Sequence, residues 1–340
     1  MHPADKAALR LTLGMGLAVL IAYGLALTAP FVACMMTVVF LAKPGPPLPP
    51  AKGVVVSLVI WGLLSAGVLM VPLLEHYAVS GVALTAVLLF AIYFMSLRSA
   101  NPLAIILVVA FAAIPVAGVA DQGFALGLSG AMAVGLWIGI FVSAVSHAFF
   151  PDAPAAGAAA AAPATVSAEA ARRTALQATV VVMPVFVIAL TNPALYIAAI
   201  LKAGALGQQA GATNAGSAGR ELVGSTLMAA AMALAVWLGL SLWPTLWMLI
   251  LWVMTATLWC AARMFRVKAS ASPPSFWVNA LMTMFILLGP AIEDGAVGKD
   301  VVAASVTRVC LFIAAALYAW ATVWVLERWR TSSQRGPRAA

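Results

Sequence analysis

Apolar runs of about 18 residues or more recur along the whole chain, separated only by short polar breaks. At 1.5 Å per residue, a helix of that length matches the hydrocarbon core of a bilayer. Spanning strands would alternate apolar and polar residues, whereas runs such as Val54 to Met70 and Ala125 to Val142 are apolar all round, as lipid-embedded helices are. Only 8% of the 340 residues are charged and 64% are apolar, against roughly a quarter charged in a soluble domain. The sequence therefore predicts an all-α integral membrane protein and argues against a soluble enzyme.

Helices are expected near Leu9–Leu27, Pro30–Ala42, Val54–Val71, Val79–Leu97, Pro102–Val119 and Ala125–Phe149. A second set is expected near Thr174–Leu190, Pro193–Leu206, Leu222–Leu242, Pro244–Ala262, Pro274–Leu288 and Val301–Val325. About twelve transmembrane helices follow, divided into a six-helix unit over 1–150, an Ala/Pro-rich linker over 151–171, a second six-helix unit over 172–330 and a basic tail over 331–340. The first apolar run follows Lys6 and Arg10 like a signal peptide, but Pro30 stands just past its only small-residue cleavage site, so it is read as the first helix.

The two units share a register. Arg10 and Pro30 recur as Arg173 and Pro193 at an offset of 163. Pro72, Pro102 and Asp121 recur as Pro244, Pro274 and Glu293 at an offset of 172. The nine residues Gln208 to Gly216 absorb the difference. With an even number of helices per unit both copies enter from the same side, which makes this a parallel repeat. All Lys and Arg residues except Lys299 and Arg308 fall on the side of the N-terminus. The opposite loops carry Glu75, Asp121, Glu293, Asp294 and Asp300, so both termini are expected in the cytoplasm. The formal charge of +8 reflects this topology and not a nucleic-acid surface.

The second helix of each unit is short, about fourteen residues or roughly 20 Å, less than the hydrocarbon thickness. Matched short helices in two halves point to a transport site, because their ends offer dipoles and free backbone groups; extension through the preceding loop is the structural alternative. Lys43 and Lys202 end these helices and lie four residues apart under the 163 offset, one turn on the same face. They form either a paired cationic site for carboxylates or ordinary anchors whose stems reach the interface. Arg308 lies about eight residues past the acidic loop, some 12 Å into its helix, where an arginine marks a pathway or pairs with Asp300, Asp294, Glu293 or Asp121. Asp121 and Glu293 match across the repeat and are candidates for proton coupling or for solvated loop charge.

Gly127, Ala131, Gly135, Gly139 and Ser143 recur every four residues and lay a smooth stripe for close helix packing, ending at an interfacial His147. Tryptophans 243, 247, 320, 324 and 329 read as interfacial belts, while Trp252 and Trp259 lie deeper, as packing residues or as a stacking surface for an aromatic substrate. Cys34, Cys260 and Cys310 lie inside apolar runs without ligand spacing and read as small core residues. No catalytic triad, phosphate loop or metal cluster is present in the sequence, so no enzyme, no cofactor and no ATP-driven step is expected.

Ala8-Leu9-Arg10, a small-residue-rich helix, Ala29-Pro30-Phe31, a second apolar helix, and then Lys43-Pro44 and Lys52-Gly53 before the third helix form a pattern that resembles the fusaric acid resistance and aromatic acid exporter superfamily. The likeness covers residues 8 to 70, with an echo in Arg173 to Lys202 and Glu221 to Leu240. It implies efflux of aromatic carboxylates across a bacterial inner membrane, often beside a periplasmic membrane-fusion adaptor. A distant similarity to plant aluminium-activated malate channels implies an anion path between six-helix units. The linker Phe150 to Ala171 is far shorter than the cytoplasmic domain of the large exporters, which makes this a short branch.

The resulting expectation is a gradient-driven inner-membrane exporter of small organic anions, with Lys43, Lys202 and Arg308 binding substrate and Asp121 or Glu293 coupling protons. A non-transporting scaffold for an adaptor and a passive anion channel are the alternatives. The charge distribution predicts that green fluorescent protein fused after Ala340 fluoresces while alkaline phosphatase fused there stays inactive; the opposite pair of results would invert the topology.

Overall fold

The computed structural model describes residues 2–42, 45, 47–99, 104–151, 167–193, 196, 199–200, 203, 215–296, 298 and 300–334, and every regular element among them is helical. In chain order these are α1 Pro3–Gly24, α2 Phe31–Leu41, α3 Pro50–Val68, α4 Met70–His76, α5 Ala78–Ser99 and α6 Ala104–Val108. A π-helical turn Val109–Ala113 leads into α7 Ile114–Ala120, followed by α8 Gln122–Phe149 and α9 Ala168–Thr191. The last four are α10 Ala215–Leu242, α11 Leu246–Met264, α12 Pro274–Ala296 and α13 Val301–Gln334.

Among the described residues nine helices are long and apolar enough to cross a membrane, with α3 and α4 forming one such span, and Phe31–Leu41 and Ile106–Ala120 are shorter apolar helices. The chain is an all-helical, multi-pass membrane protein. The helix expected near Pro193–Leu206 lies largely outside the described residues. Helix α9 begins at Ala168, inside the stretch read as linker, because Ser167 caps it by accepting from the Ala170 amide at 3.3 Å.

Helix α2 is shorter than expected. Eleven residues rise about 16 Å. The chain reaches it through Leu25 to Pro30, an irregular stretch in which Ala26 and Ala29 hold positive φ of 48° and 51°. Left-handed backbone costs an alanine of order 1 kcal/mol, so the tight turn from α1 into α2 is imposed by tertiary packing. Nine of the eleven α2 residues are buried. They pack against α1, α8 and α12.

The small-residue stripe of α8 is what lets α2 approach. A Cβ at Gly135 would meet the Ala33 backbone at 3.1 Å, and one at Gly139 would meet the Met36 backbone at 3.1 Å. On the other side Phe31 lies over Gly289 of α12, where a Cβ would come within 2.5 Å of the ring. Elsewhere α1 packs on α11 and α5 on α9, while α3 packs on α8 and α10 on α13; α3 and α10 further contact the π-helical turn and α12 respectively. A single dominant apolar cluster runs through all of these helices, from Ala8 to Phe312. Large apolar side chains that stay exposed, such as Val55, Leu58 and Val59 on α3, face outward where lipid is the solvent.

The π-helical turn combines a local cause with a tertiary one. Pro115 has no amide hydrogen to give the Phe111 carbonyl, and the Ile114 amide reaches back five residues to Val109. The widened turn pushes its carbonyls outward against α3, where Gly67 leaves room; a Cβ there would stand 2.0 Å from the Ala110 carbonyl oxygen. Gly67→Ala is therefore expected to destabilise the protein by about 1 to 3 kcal/mol, read as a lowered Tm in detergent. Gly62→Ala on the same helix, with nothing within 4 Å of its Cβ, should hold or raise the Tm.

Candidate functional site

Three cavities lie along one helix. The innermost, about 30 Å³, is lined by Phe31 and Met35 of α2, Val109 of the π-helical turn, Met132 of α8, and Asn279 and Met282 of α12 among others. It sits where elements from both ends of the chain meet, and Met36 and Thr283 also face it. A second cavity of about 330 Å³ opens between α10, α12 and α13, lined by Trp237, Leu287, Ala291, Ser305 and Cys310. The third, about 420 Å³, lies between Tyr23 of α1, Ser241 of α10, Thr245 before α11, and Ile292 and Gly295 of α12. From Asn279 to Gly295, α12 borders all three.

The innermost cavity is apolar apart from Asn279 and Thr283, which stand one turn apart on α12. The Asn279 amide donates to the Ser225 hydroxyl on α10, which ties α12 to its neighbour through a buried polar contact. Methionine thioethers from three helices supply most of the adaptable surface, and such side chains accept planar aromatic groups of varied shape. Pro290 interrupts the α12 hydrogen-bond ladder one residue after Gly289, directly beyond Phe31.

Arg308 lies seven residues into α13, about 10 Å from its start. Its Nη2 donates to Asp294 Oδ2 of α12 at 2.6 Å, so the pair bridges two membrane helices. Only 21% of the Arg308 side chain and 12% of the Asp294 side chain are exposed. Buried Nη1 of Arg308 has no hydrogen-bond partner among the described residues. Glu293 is exposed beside the pair and is electrostatically coupled to both members. Geometry thus selects Asp294 from the four acids that the sequence offered to Arg308.

Asp121 sits elsewhere. It caps α8 by accepting from the Gly123 amide at 2.9 Å, is exposed, and makes no ion pair among the described residues. Nothing among the described residues joins it to Glu293. Lys43 and Lys202 lie outside the described residues. The other candidates resolve into packing. Trp252 lies against Gly239 of α10, and Trp259 stacks beneath the Arg263 guanidinium at 3.8 Å. Cys34 and Cys260 are buried, whereas Cys310, read as a core residue, is exposed and lines the second cavity. His147 is more than an interfacial residue, since its Nδ1 meets the Ser143 carbonyl at 2.8 Å and its Nε2 the Gly45 carbonyl at 3.0 Å, fastening the α2–α3 connection to α8.

Sequence reasoning missed α12 as the lining helix. Its signal was available in Asn279 and Thr283, two polar side chains four residues apart in an apolar span, followed by Gly289-Pro290. The bridging pair predicts strong non-additivity. Asp294→Asn alone should destabilise by about 2 kcal/mol, because it strands a mostly buried guanidinium, whereas Arg308→Met combined with Asp294→Leu should lose less than the sum of the single changes; thermal denaturation of the four proteins in detergent measures the cycle. Comparison with protein-family models, with curated proteins and with solved structures finds no match to this chain, so the likeness seen over residues 8 to 70 rests on those residues alone.

Proposed function

We propose that this chain is an inner-membrane exporter of small organic anions, aromatic carboxylates in particular, driven by an ion gradient and built as two parallel six-helix units with both termini in the cytoplasm. The observation that carries the reading is the line of cavities along α12, which runs from the seam behind α2 to Gly295 and Val309, the chain neighbours of the bridged Asp294 and Arg308. A pathway through a bundle needs discontinuous or irregular helices at its narrowest point. Short α2, the π-helical turn and Pro290 all border the innermost cavity or flank it.

The two-unit reading is supported by recurring helix pairs. Counted as two sets of six, with α3 and α4 as one span, the first helix packs on the tenth as the fourth packs on the seventh, which are α1 on α11 and α5 on α9. The third packs on the sixth as the ninth packs on the twelfth, which are α3 on α8 and α10 on α13. In this reading Lys43 and Lys202 draw anions to the cytoplasmic mouth, Asn279 and the methionine thioethers hold the aromatic ring at the seam, and Arg308 receives the carboxylate beyond it. Glu293, next to Arg308, is the better placed of the two acids for coupling protons, and Asp121 serves chiefly as a cap. No cofactor or nucleic acid enters this mechanism; a periplasmic adaptor is the expected protein partner.

A second reading, a non-transporting scaffold for such an adaptor, is favoured by one observation: the seam is shut, with Phe31 against Gly289 and room for only about 30 Å³ behind it. A passive anion channel is separated by energetics alone. The deciding experiment is uptake of radiolabelled p-hydroxybenzoate into inside-out vesicles with and without a proton gradient. Gradient-dependent accumulation that falls to background in Met132→Trp and Arg308→Ala, and that weakens in Lys43→Ala/Lys202→Ala, is the expected result. Flux indifferent to the gradient selects the channel, and no flux across a panel of related anions selects the scaffold.

A further inference from the structure

The turn between α11 and α12, residues 265–273, carries a fixed cluster of positive charge that the transport reading does not use. Arg263, Arg266 and Lys268 fall within six residues at the C-terminal end of α11, where cations are favoured by the helix dipole. Arg263 is held in place: its guanidinium carbon lies 3.8 Å from the Trp259 ring centre and 5.5 Å from that of Trp277, and its Nη1 donates to the Trp259 carbonyl at 2.9 Å. Trp259 and Trp277 meet edge to face at 5.2 Å.

The loop itself is pinned at both ends. The Lys268 amide donates to the Ala262 carbonyl at 2.8 Å, and the Trp277 indole N–H donates to the Ser270 hydroxyl at 3.0 Å. Arg266 occupies left-handed backbone with φ of 60°, a conformation in which glycine is the unstrained choice. An arginine kept at that position projects its charge from a rigid corner. Arg266, Val267 and Lys268 are exposed. None of the three cations makes an ion pair among the described residues; of the carboxylates at this end of the bundle, Glu221 accepts from the Ser275 hydroxyl at 3.3 Å and Glu169 pairs with Arg173.

We propose that this turn seats the phosphate headgroup of an anionic phospholipid, with Arg266 and Lys268 on the phosphate, Arg263 presented from the indole platform, and Val267 dipping among the acyl chains. The turn joins two spans, so it lies at the bilayer surface, where tryptophan rings settle at headgroup level and each nearby cation favours an anionic lipid about fivefold. Its fixed backbone and the held Arg263 side chain leave little loop freedom to be lost on binding, with the Arg266 and Lys268 side chains free to close on the phosphate.

The test is native mass spectrometry and thermal denaturation of the full-length protein in detergent, titrated with phosphatidylglycerol, phosphatidylcholine or inorganic phosphate. Phosphatidylglycerol should give a saturable bound species and raise the Tm, and the other two should not. Arg266→Gly removes one charge while relieving the strained backbone, so its Tm without lipid should hold or rise while affinity for phosphatidylglycerol falls about fivefold. Arg263→Gln/Arg266→Gln/Lys268→Gln should abolish the saturable species. Equal binding of phosphatidylglycerol by wild type and Arg266→Gly, equal stabilisation by phosphatidylcholine, or displacement by millimolar inorganic phosphate would each overturn the proposal.

Discussion

Helix α2 is too short to cross a bilayer and is nonetheless enclosed on every side, and most of the architecture follows from accommodating it. In a membrane, association between helices gains little from the hydrophobic effect, because lipid tails are as apolar as leucine. Contact must come from close van der Waals approach, and only small residues permit it. Gly135 and Gly139 on α8 let the α2 backbone come within touching distance, and Gly289 on α12 receives the ring of Phe31. The irregular backbone before α2 follows a helix already long enough to cross the membrane, and its Leu27 to Pro30 part borders a cavity of about 270 Å³ beside Gly127 and Gly130.

Charge is handled in two distinct ways. At the helix ends it is solvated or locally satisfied, as where Lys6 donates to the Pro151 carbonyl, Asp121 caps α8, and Arg173 pairs with Glu169 one turn away. Inside the bundle it is buried, at Arg10 of α1 and in the Arg308–Asp294 bridge between α12 and α13. Removing two opposite charges from water costs several kcal/mol per ion before their attraction offsets it, and a well-packed apolar pair would often serve stability better. The unsatisfied Nη1 of Arg308 shows that the compensation is incomplete. A costly, under-satisfied cation between two membrane helices is what a binding function would leave behind, which is why the proposed pathway is drawn to end there.

The spans were legible because hydrocarbon thickness dictates run length and permits few charges, so nine of the twelve expected helices have described counterparts long enough to cross, and two more coincide with the shorter helices Phe31–Leu41 and Ile106–Ala120. Packing was legible where it is periodic: the four-residue stripe on α8 identified a contact face before any partner was known. The irregular features were not. Pro115 is one of 20 prolines, and nothing in its neighbourhood distinguishes a π-helical turn from an ordinary kink, since the outcome depends on Gly67 making room on another helix. Likewise the choice of Asp294 over Glu293 for Arg308 turns on which face of α12 meets α13, a matter of roughly 100° of helical rotation per residue. Lys43 and Lys202, the pair on which the sequence placed most functional weight, fall outside the described residues.

The two halves of the chain are packed differently, and that difference bears on how a pathway would open. Helix α8 buries the Gly135 and Gly139 part of its stripe against α2, and the first half's free volume lies to one side of that contact, in the cavity of about 270 Å³ beside Gly127 and Gly130. Its counterpart in the two-unit reading, α13, leaves Val302, Val306 and Cys310 exposed, and the cavities of about 330 and 420 Å³ both lie in the second half around α12. Close-packed interfaces switch between discrete arrangements and do not deform gradually, whereas an interface with voids forfeits fewer contacts when a helix shifts. Helix α12 has one tight neighbour at Phe31 and loose ones beyond, with Pro290 already weakening its backbone ladder between the two. In the transport reading, movement of its outer third about Gly289-Pro290, with the Asn279–Ser225 contact holding its inner part to α10, would join the innermost cavity to the outer ones, and that movement must carry or break the Asp294–Arg308 bridge.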